Sequence, residues 1–299
     1  MDAPAVRADG LTKRYGRTVA LDHLDLEVPA GQVLGYLGPN GAGKTTTLRL
    51  LLGLIRPTAG RAEIFGVDAW HEPVRAHARV AYVTSDVDLW PTLTGGEVLD
   101  LLGHAHGAVD AALRDELIAS FDLDPTLKVR AYSTGNRQKV LLIAALMTRA
   151  DLLILDEPTR GLDPLVDQVF RTYIRRARDQ GQTVLLSSHE LSEVEALCDR
   201  VAIVRAGRLV EQRTLAELRQ LSALAIEATF AGPPPDLRGI PGVRALAVDG
   251  STLRCQVDGS IEPLLRALAD AGVTRLTSRE PSLEELFLAH YDRSDGLAT

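Results

Sequence analysis

The chain has 299 residues, with 33 Lys+Arg against 40 Asp+Glu and a formal net charge of −7, a balance that excludes a nucleic-acid binder held by phosphate contacts. Hydrophobic residues at 45% and charged residues at 24% exclude disorder as the main state. The longest apolar run is the eight residues from Val140 to Met147, far short of the ~20 that a bilayer-crossing helix needs. Residues 1–10 carry Asp2, Arg7 and Asp9 and lack the apolar core of a secretory signal, so a cytosolic location is expected. Cys198 and Cys255 are too few for a disulfide framework and lie outside zinc spacing; both are read as reduced packing residues.

In chain order, residues 24–28 alternate apolar and polar side chains (Leu24, Asp25, Leu26, Glu27, Val28), the period of a half-buried antiparallel strand. The apolar runs 32–37, 152–155 and 183–187 end at turn signals and read as buried strands of an α/β core. Together with the alternating segment they predict a mixed sheet. Helical patterns cover 44–54, 133–148 and 165–180, with Gly181 placed to cap the last. Between about 85 and 150 strand signals vanish, and Leu/Ala-rich stretches at 97–106 and 111–121 predict an inserted helical subdomain. A hairpin is expected at Ala206-Gly207, followed by a helix at 215–221. Composition breaks at Gly232-Pro233-Pro234-Pro235, beyond which come a helix at 261–271, a strand at 273–277 and a last helix opened by Ser282 and Glu285 in capping-box spacing. The expected organisation is a domain over 1–221 and a small α+β domain over 222–299.

Between the first buried strand and the helix at 44–54 stands Gly38-Pro39-Asn40-Gly41-Ala42-Gly43-Lys44-Thr45-Thr46, which fits GxxxxGK[ST] in the strand–loop–helix context that the motif requires. Glycines let the backbone bend around phosphate oxygens and point its N–H groups inward. Lys44, one of only four lysines, adds charge near the β- and γ-phosphates, the helix N-terminus adds its partial positive charge, and the Thr45 hydroxyl suits Mg²⁺. These features converge on one triphosphate.

A second site element is Asp156-Glu157-Pro158, directly after the strand at 152–155. Ligands of open α/β sheets sit at such strand ends. Asp156 is suited to hold Mg²⁺, and Glu157 to orient and deprotonate an attacking water.

With these motifs in place, the chain resembles the nucleotide-binding subunits of ABC transporters over about residues 5–213. Tyr132-Ser133-Thr134-Gly135-Asn136 resembles the family's signature sequence, with Thr134 and Asn136 in place of its usual Gly and Gln. Gly161-Leu162-Asp163 resembles the loop after the catalytic acid, and His189 the switch histidine. The resemblance implies that Ser133 and Gly135 bind a γ-phosphate, that His189 contacts it together with the catalytic water, and that Tyr15 stacks on adenine. After Val80-Ala81-Tyr82-Val83-Thr84 the family places a Gln or Glu, where this chain has Ser85 followed by Asp86.

The implied fold is an α/β P-loop ATPase core with an antiparallel β subdomain, the helical subdomain and the C-terminal α+β domain. The implied partners are a second ATPase subunit, identical or paralogous and joined head to tail, and a separate integral-membrane permease, which places the chain at the cytoplasmic face of the membrane. Asp88-Leu89-Trp90-Pro91 and Leu93 are expected either to contact that permease or, through Trp90, to fill the subdomain core. The segment 281–288 resembles the tail of bacterial exporter ATPases for drugs, antibiotics or lipids. The alternative is a soluble regulatory P-loop ATPase without a permease. A chromosome-maintenance ATPase is disfavoured by the short interval from Lys44 to Ser133, and a ribosome-associated relative by the single cassette and acidic charge.

Overall fold

A computed structural model describes residues 3–84, 88–107, 109–220 and 224–279. Ser85, Asp86 and the predicted last helix lie outside them. The chain divides into two compact units, Met1–Arg213 and Thr214–Thr299.

The first unit carries two sheets. Strands β1 (Val6–Tyr15), β2 (Thr18–Val28), β4 (Ala59–Ile64) and β5 (Val67–Asp68) form an antiparallel sheet in the order β2-β1-β4-β5. The predicted alternation is present, since Leu24, Leu26 and Val28 are buried while Asp25 and Glu27 face water. The strand does not join the buried runs in a mixed sheet, as its alternation suggested: β2 belongs to this separate sheet, the antiparallel β subdomain that the family resemblance implies. A period of two reports which face is buried and carries no information about which strands lie alongside.

The second sheet has six strands in the order β10-β9-β3-β8-β7-β6, drawn from β3 (Val33–Leu37), β6 (Val80–Val83), β7 (Leu152–Asp156), β8 (Thr183–Ser188), β9 (Arg200–Arg205) and β10 (Arg208–Thr214). The pairs β9/β3, β3/β8, β8/β7 and β7/β6 are all parallel. Every residue of β3, β7 and β8 is buried, as expected of parallel strands covered on both faces. Ala206 and Gly207 join β9 to β10 with φ of 48° and 76°, the doubly left-handed geometry of a two-residue hairpin turn.

Helix α1 (Lys44–Leu51) follows β3, and the short α2 (Pro73–His77) precedes β6. Helices α3 (Gly95–His106), α4 (Ala111–Ser120) and α5 (Thr134–Leu146) occupy the predicted helical region. Thr94 and Glu97 start α3 with a reciprocal capping box, and Ser133 caps α5 by accepting from Asn136 N at 3.2 Å. Helix α6 (Pro164–Asp179) is capped by Asp163, which accepts from Leu165 N and Val166 N at 3.0 Å each, and Gly181 beyond its end has φ 85°. Helix α7 (Leu191–Leu197) packs onto β3, where a Cβ on Gly35 would stand 2.5 Å from Val194 Cγ1.

The second unit begins with α8 (Leu215–Gln220) and contains β11 (Leu224–Phe230), β12 (Val243–Asp249), β13 (Thr252–Val257), α9 (Glu262–Asp270) and β14 (Val273–Arg279). Its sheet has the order β12-β13-β11-β14, with Ile226, Ala228, Phe230, Leu253, Cys255 and Val257 packed in one core with Leu264 and Leu268 of α9. The Pro-rich break falls in the loop between β11 and β12. Both cysteines are free and buried.

Candidate active site

Parallel strands bring their C-terminal ends to one edge of the sheet, and β3, β8 and β7 are consecutive there. The loop after β3 binds its own lysine: Lys44 Nζ donates to Gly38 O at 2.7 Å and to Pro39 O at 3.4 Å. Burial lowers the Lys44 ammonium from its ordinary value, while the nearby Glu157 and Asp156 act in the opposite direction. Gly43 stands at the head of α1 with φ 106° and supplies no side-chain cap, and the first turn holds no acid. The opening N–H groups of α1 therefore have no protein acceptor from a cap, which suits them to an anion.

Gly43 is also required by packing. A Cβ there would lie 2.7 Å from Leu21 Cδ2 and 2.8 Å from Ala20 O, so β2 crosses against the loop. Gly207 N donates to Ala42 O at 3.0 Å, buttressing the loop from the β9–β10 hairpin. The resulting cavity, of ≈ 210 Å³, is lined by Ala20, Pro39, Asn40, Gly41, Gly43, Lys44, Thr45, Thr46 and Glu157.

The register Asp156↔Ser187 between β7 and β8 assembles the carboxylates. Asp156 is buried, accepts from Thr45 Oγ1 at 3.0 Å and from Ser187 Oγ at 2.5 Å, and so links α1, β7 and β8. Glu157 N donates to Ser187 O at 3.1 Å and to Ser187 Oγ at 3.2 Å. These bonds hold Glu157 at φ 48°, a left-handed conformation that costs a non-glycine residue about 1–3 kcal/mol and concentrates at functional sites. His189 Nδ1 stands 3.3 Å from Glu157 Oε1. Ser187 is the residue that the sequence reading did not assign; its signal is a serine directly after the apolar run Val184-Leu185-Leu186 of β8.

Three predicted site residues lie apart from this cluster. Ser133 and Gly135, at the N-terminus of α5, do not line the cavity; a Cβ on Gly135 would meet Gly161 O at 2.7 Å. Gln138 Nε2 donates to Pro158 O at 2.9 Å, so α5 is tied to the turn leaving Glu157. Tyr15 is 50% exposed near the β1–β2 turn, with Lys13 Nζ 4.9 Å from its ring centroid, and fills no core. Trp90 is likewise 48% exposed, whereas its neighbour Leu89 is buried.

Thr45 and Asp156 offer adjacent hard oxygen donors. Among the described residues no group of three or more His, Cys, Asp or Glu is arranged to hold a metal. The adjacent Thr45 and Asp156 oxygens fit Mg²⁺, which takes one or two protein oxygens and fills its remaining positions with phosphate and water.

The ABC transporter family pattern matches residues 21–160. The chain is 39% identical over 300 residues to the daunorubicin resistance ATP-binding protein of Streptomyces coeruleorubidus, covering 95% of each. It belongs to the ABC transporter ATP-binding family. It is 36% identical over 228 residues to the bacitracin transport ATP-binding protein of Bacillus licheniformis, covering 74% of each. A solved ATP-binding subunit of an ABC transporter superposes with a TM-score of 0.67 at 29% identity, covering 72% of this chain and 92% of that one. A dimeric ATP-binding cassette bound to ADP and phosphate shares the fold, with a TM-score of 0.64 at 22% identity over 70% of this chain and 98% of that one. This ABC protein is thus an ATPase subunit, and among its described residues no helix is long and apolar enough to cross a membrane.

Proposed function

We propose that the chain binds and hydrolyses ATP to power export of a drug, antibiotic or lipid-like compound through a separate integral-membrane permease, at whose cytoplasmic face it sits. The observation that carries the hydrolytic part is the linked array Thr45–Asp156–Ser187–Glu157–His189 beside the phosphate loop. The cargo class rests on the relatives named for daunorubicin and bacitracin, which also disfavour a regulatory ATPase acting alone.

In this reading Lys44 and the N–H groups opening α1 bind the β- and γ-phosphates, and Tyr15 offers its exposed ring to adenine. Thr45 and Asp156 hold Mg²⁺, which neutralises phosphate charge when bound. Glu157 takes a proton from water as its oxygen attacks the γ-phosphorus and the bond to the β–γ bridging oxygen breaks, releasing ADP and phosphate. His189 holds the water and the γ-phosphate in line. Ser133 and Gly135 stand apart from the cavity of their own chain, so a second cassette, identical or paralogous, supplies its signature across a head-to-tail pair. The unit 214–299 supports or regulates that pairing.

The exposed Trp90 is the proposed contact with the permease. Its loop is bonded to the segment entering the signature, through Val129 N to Leu93 O at 2.9 Å and Arg130 N to Pro91 O at 3.2 Å, which gives a route from permease to Ser133.

Glu157→Gln should retain ATP binding while turnover falls about 10²–10⁴-fold; normal turnover would show that another group is the base. Co-purification with a co-expressed permease, and crosslinking to it from position 90, test the transport role; crosslinks confined to the subunit would remove Trp90 from the interface.

A further inference from the structure

One buried polar side chain outside the phosphate cavity reaches toward the hydrolytic turn. Gln138, in the second turn of α5, is 2% exposed and stands just before the apolar stretch that packs this helix into the core. A side-chain amide at that depth is costly unless it is hydrogen-bonded. Gln138 Nε2 donates to Pro158 O at 2.9 Å. The bond spans 20 positions of sequence and ends on the buried residue that follows Glu157.

Pro158 has no N–H, so its carbonyl is the group through which another element can hold this point of the backbone by hydrogen bonding. Glu157 before it is left-handed at φ 48°, a strained conformation that persists only where its surroundings over-determine it. On one side Ser187 of β8 accepts from Glu157 N, through O at 3.1 Å and Oγ at 3.2 Å. On the other side Gln138 of α5 donates to Pro158 O. The bonds that come next, Arg160 N to Glu157 O at 3.2 Å and Leu162 N to Thr159 O at 3.0 Å, stay within the turn. Glu157 is thus clamped between β8 and α5.

We propose that Gln138 is a positioning residue for ATP hydrolysis: its amide holds the Pro158 carbonyl against the Ser187 anchor and so fixes the direction in which the Glu157 carboxylate points. The proposal rests on Glu157 as the base. The tie runs from the helix whose N-terminus carries Ser133 and Gly135, and a Cβ on Gly135 would stand 2.7 Å from Gly161 O. The hydrolytic turn and the signature of one chain are therefore joined at two points. Gln138 acts on the ATP bound by its own chain, whereas Ser133 and Gly135 are proposed to serve the ATP of the second cassette.

The test is Gln138→Met in the 299-residue chain, which keeps the length of the side chain and removes the amide. Loss of the donor leaves a buried carbonyl unpaired and lowers stability, so the readout is the single-turnover rate constant of ATP-loaded protein. Partial unfolding reduces its amplitude and leaves the constant as it was. That constant should fall about tenfold to hundredfold, the scale of a small misplacement of reacting groups, while the Kd for ATP stays within about twofold. ATP-dependent dimerisation, measured in a Glu157→Gln background, should be retained. Gln138→Glu is the second variant: only its neutral carboxyl can donate to Pro158 O, so its rate constant relative to wild type should recover as pH falls from about 8 to about 5. An unaltered constant in Gln138→Met overturns the proposal, as does a Gln138→Glu ratio that shows no recovery at low pH. A loss of dimerisation equal to the loss of rate also overturns it, by assigning Gln138 to the signature surface. Glu157→Gln assayed alone separates the two readings: normal turnover there removes the base that Gln138 is proposed to aim, whereas inactivity beside a fully active Gln138→Met removes Gln138 alone.

Discussion

His189 Nδ1 lies 3.3 Å from Glu157 Oε1 although the two residues are 32 positions apart, because each follows directly on one of two adjacent parallel strands. Glu157 is mostly buried and His189 mostly exposed, with 17% and 54% of their side chains accessible. The histidine therefore covers the carboxylate from the solvent side and can reach a phosphate or a partner without moving β8. Replacing His189 with Ala should lower ATP turnover by about 10²-fold and leave ATP affinity within about twofold, since the binding groups of the phosphate loop are untouched. Equilibrium nucleotide binding and single-turnover hydrolysis, measured side by side, check this. An equal loss in both would make His189 a binding residue instead.

Ser187 deserves a mutation of its own because one hydroxyl serves both acids. It donates to Asp156 Oδ1 at 2.5 Å and accepts from Glu157 N at 3.2 Å. Ser187→Ala removes the donor that orients the proposed Mg²⁺ ligand and one of the two acceptors that keep Glu157 left-handed. Groups that orient metal ligands are worth about 10–100-fold in metal affinity or activity. The expected result is a rise in the Mg²⁺ concentration needed for half-maximal ATPase, together with a lower kcat, while affinity for ATP without metal is retained. Titration of Mg²⁺ at fixed ATP reads the effect.

Stability against pH should carry the mark of Glu193. A carboxyl raised from its ordinary 4.5 to about 7 in the native state contributes stability that is fully present below the lower value and lost as pH rises through the higher one. Carboxylates such as Asp9, held low by its hydrogen bonds to Arg7 and Arg61, and Asp110, held low by the Leu113 N–H, act in the opposite sense, so the difference between variant and wild type is the measurement to make. Going from about pH 5 to about pH 8, Glu193→Gln should gain about 2–3 kcal/mol of unfolding free energy relative to wild type. Parallel curves would mean that Glu193 has the same proton affinity folded and unfolded.

The cassette was largely legible in the sequence because its chemistry is local. Uninterrupted apolar runs named β3, β7 and β8, and the glycine loop, the two acids and His189 each follow one of those runs within a few residues. What local patterns did not carry was pairing between distant segments. The alternation at Leu24, Leu26 and Val28 announced an antiparallel strand but not its separate sheet. The role of Ser187 depends on its register with Asp156, 31 residues away. Gly43 was read as a flexible phosphate-loop glycine, and its second constraint, the close approach of Ala20 and Leu21, exists only once β2 has been placed.

Gly135 faces a comparable tertiary constraint, which makes it a test of the proposed pairing between cassettes. An added Cβ would stand 2.7 Å from the carbonyl oxygen of Gly161, below any normal contact, and the neighbour is backbone that cannot swing aside as a side chain would. Gly135→Ala must therefore push the start of α5 away from the loop between Glu157 and Asp163. The change lies outside the phosphate cavity, so each chain should still bind ATP with near-normal affinity. It alters the surface that is proposed to meet the γ-phosphate of the other cassette, so ATP-dependent dimerisation of a hydrolysis-blocked Glu157→Gln background should weaken by at least about tenfold, equivalent to about 1.4 kcal/mol. Analytical ultracentrifugation with and without ATP provides the comparison. If Gly135→Ala dimerises as the background does, the N-terminus of α5 is not the surface that closes the site.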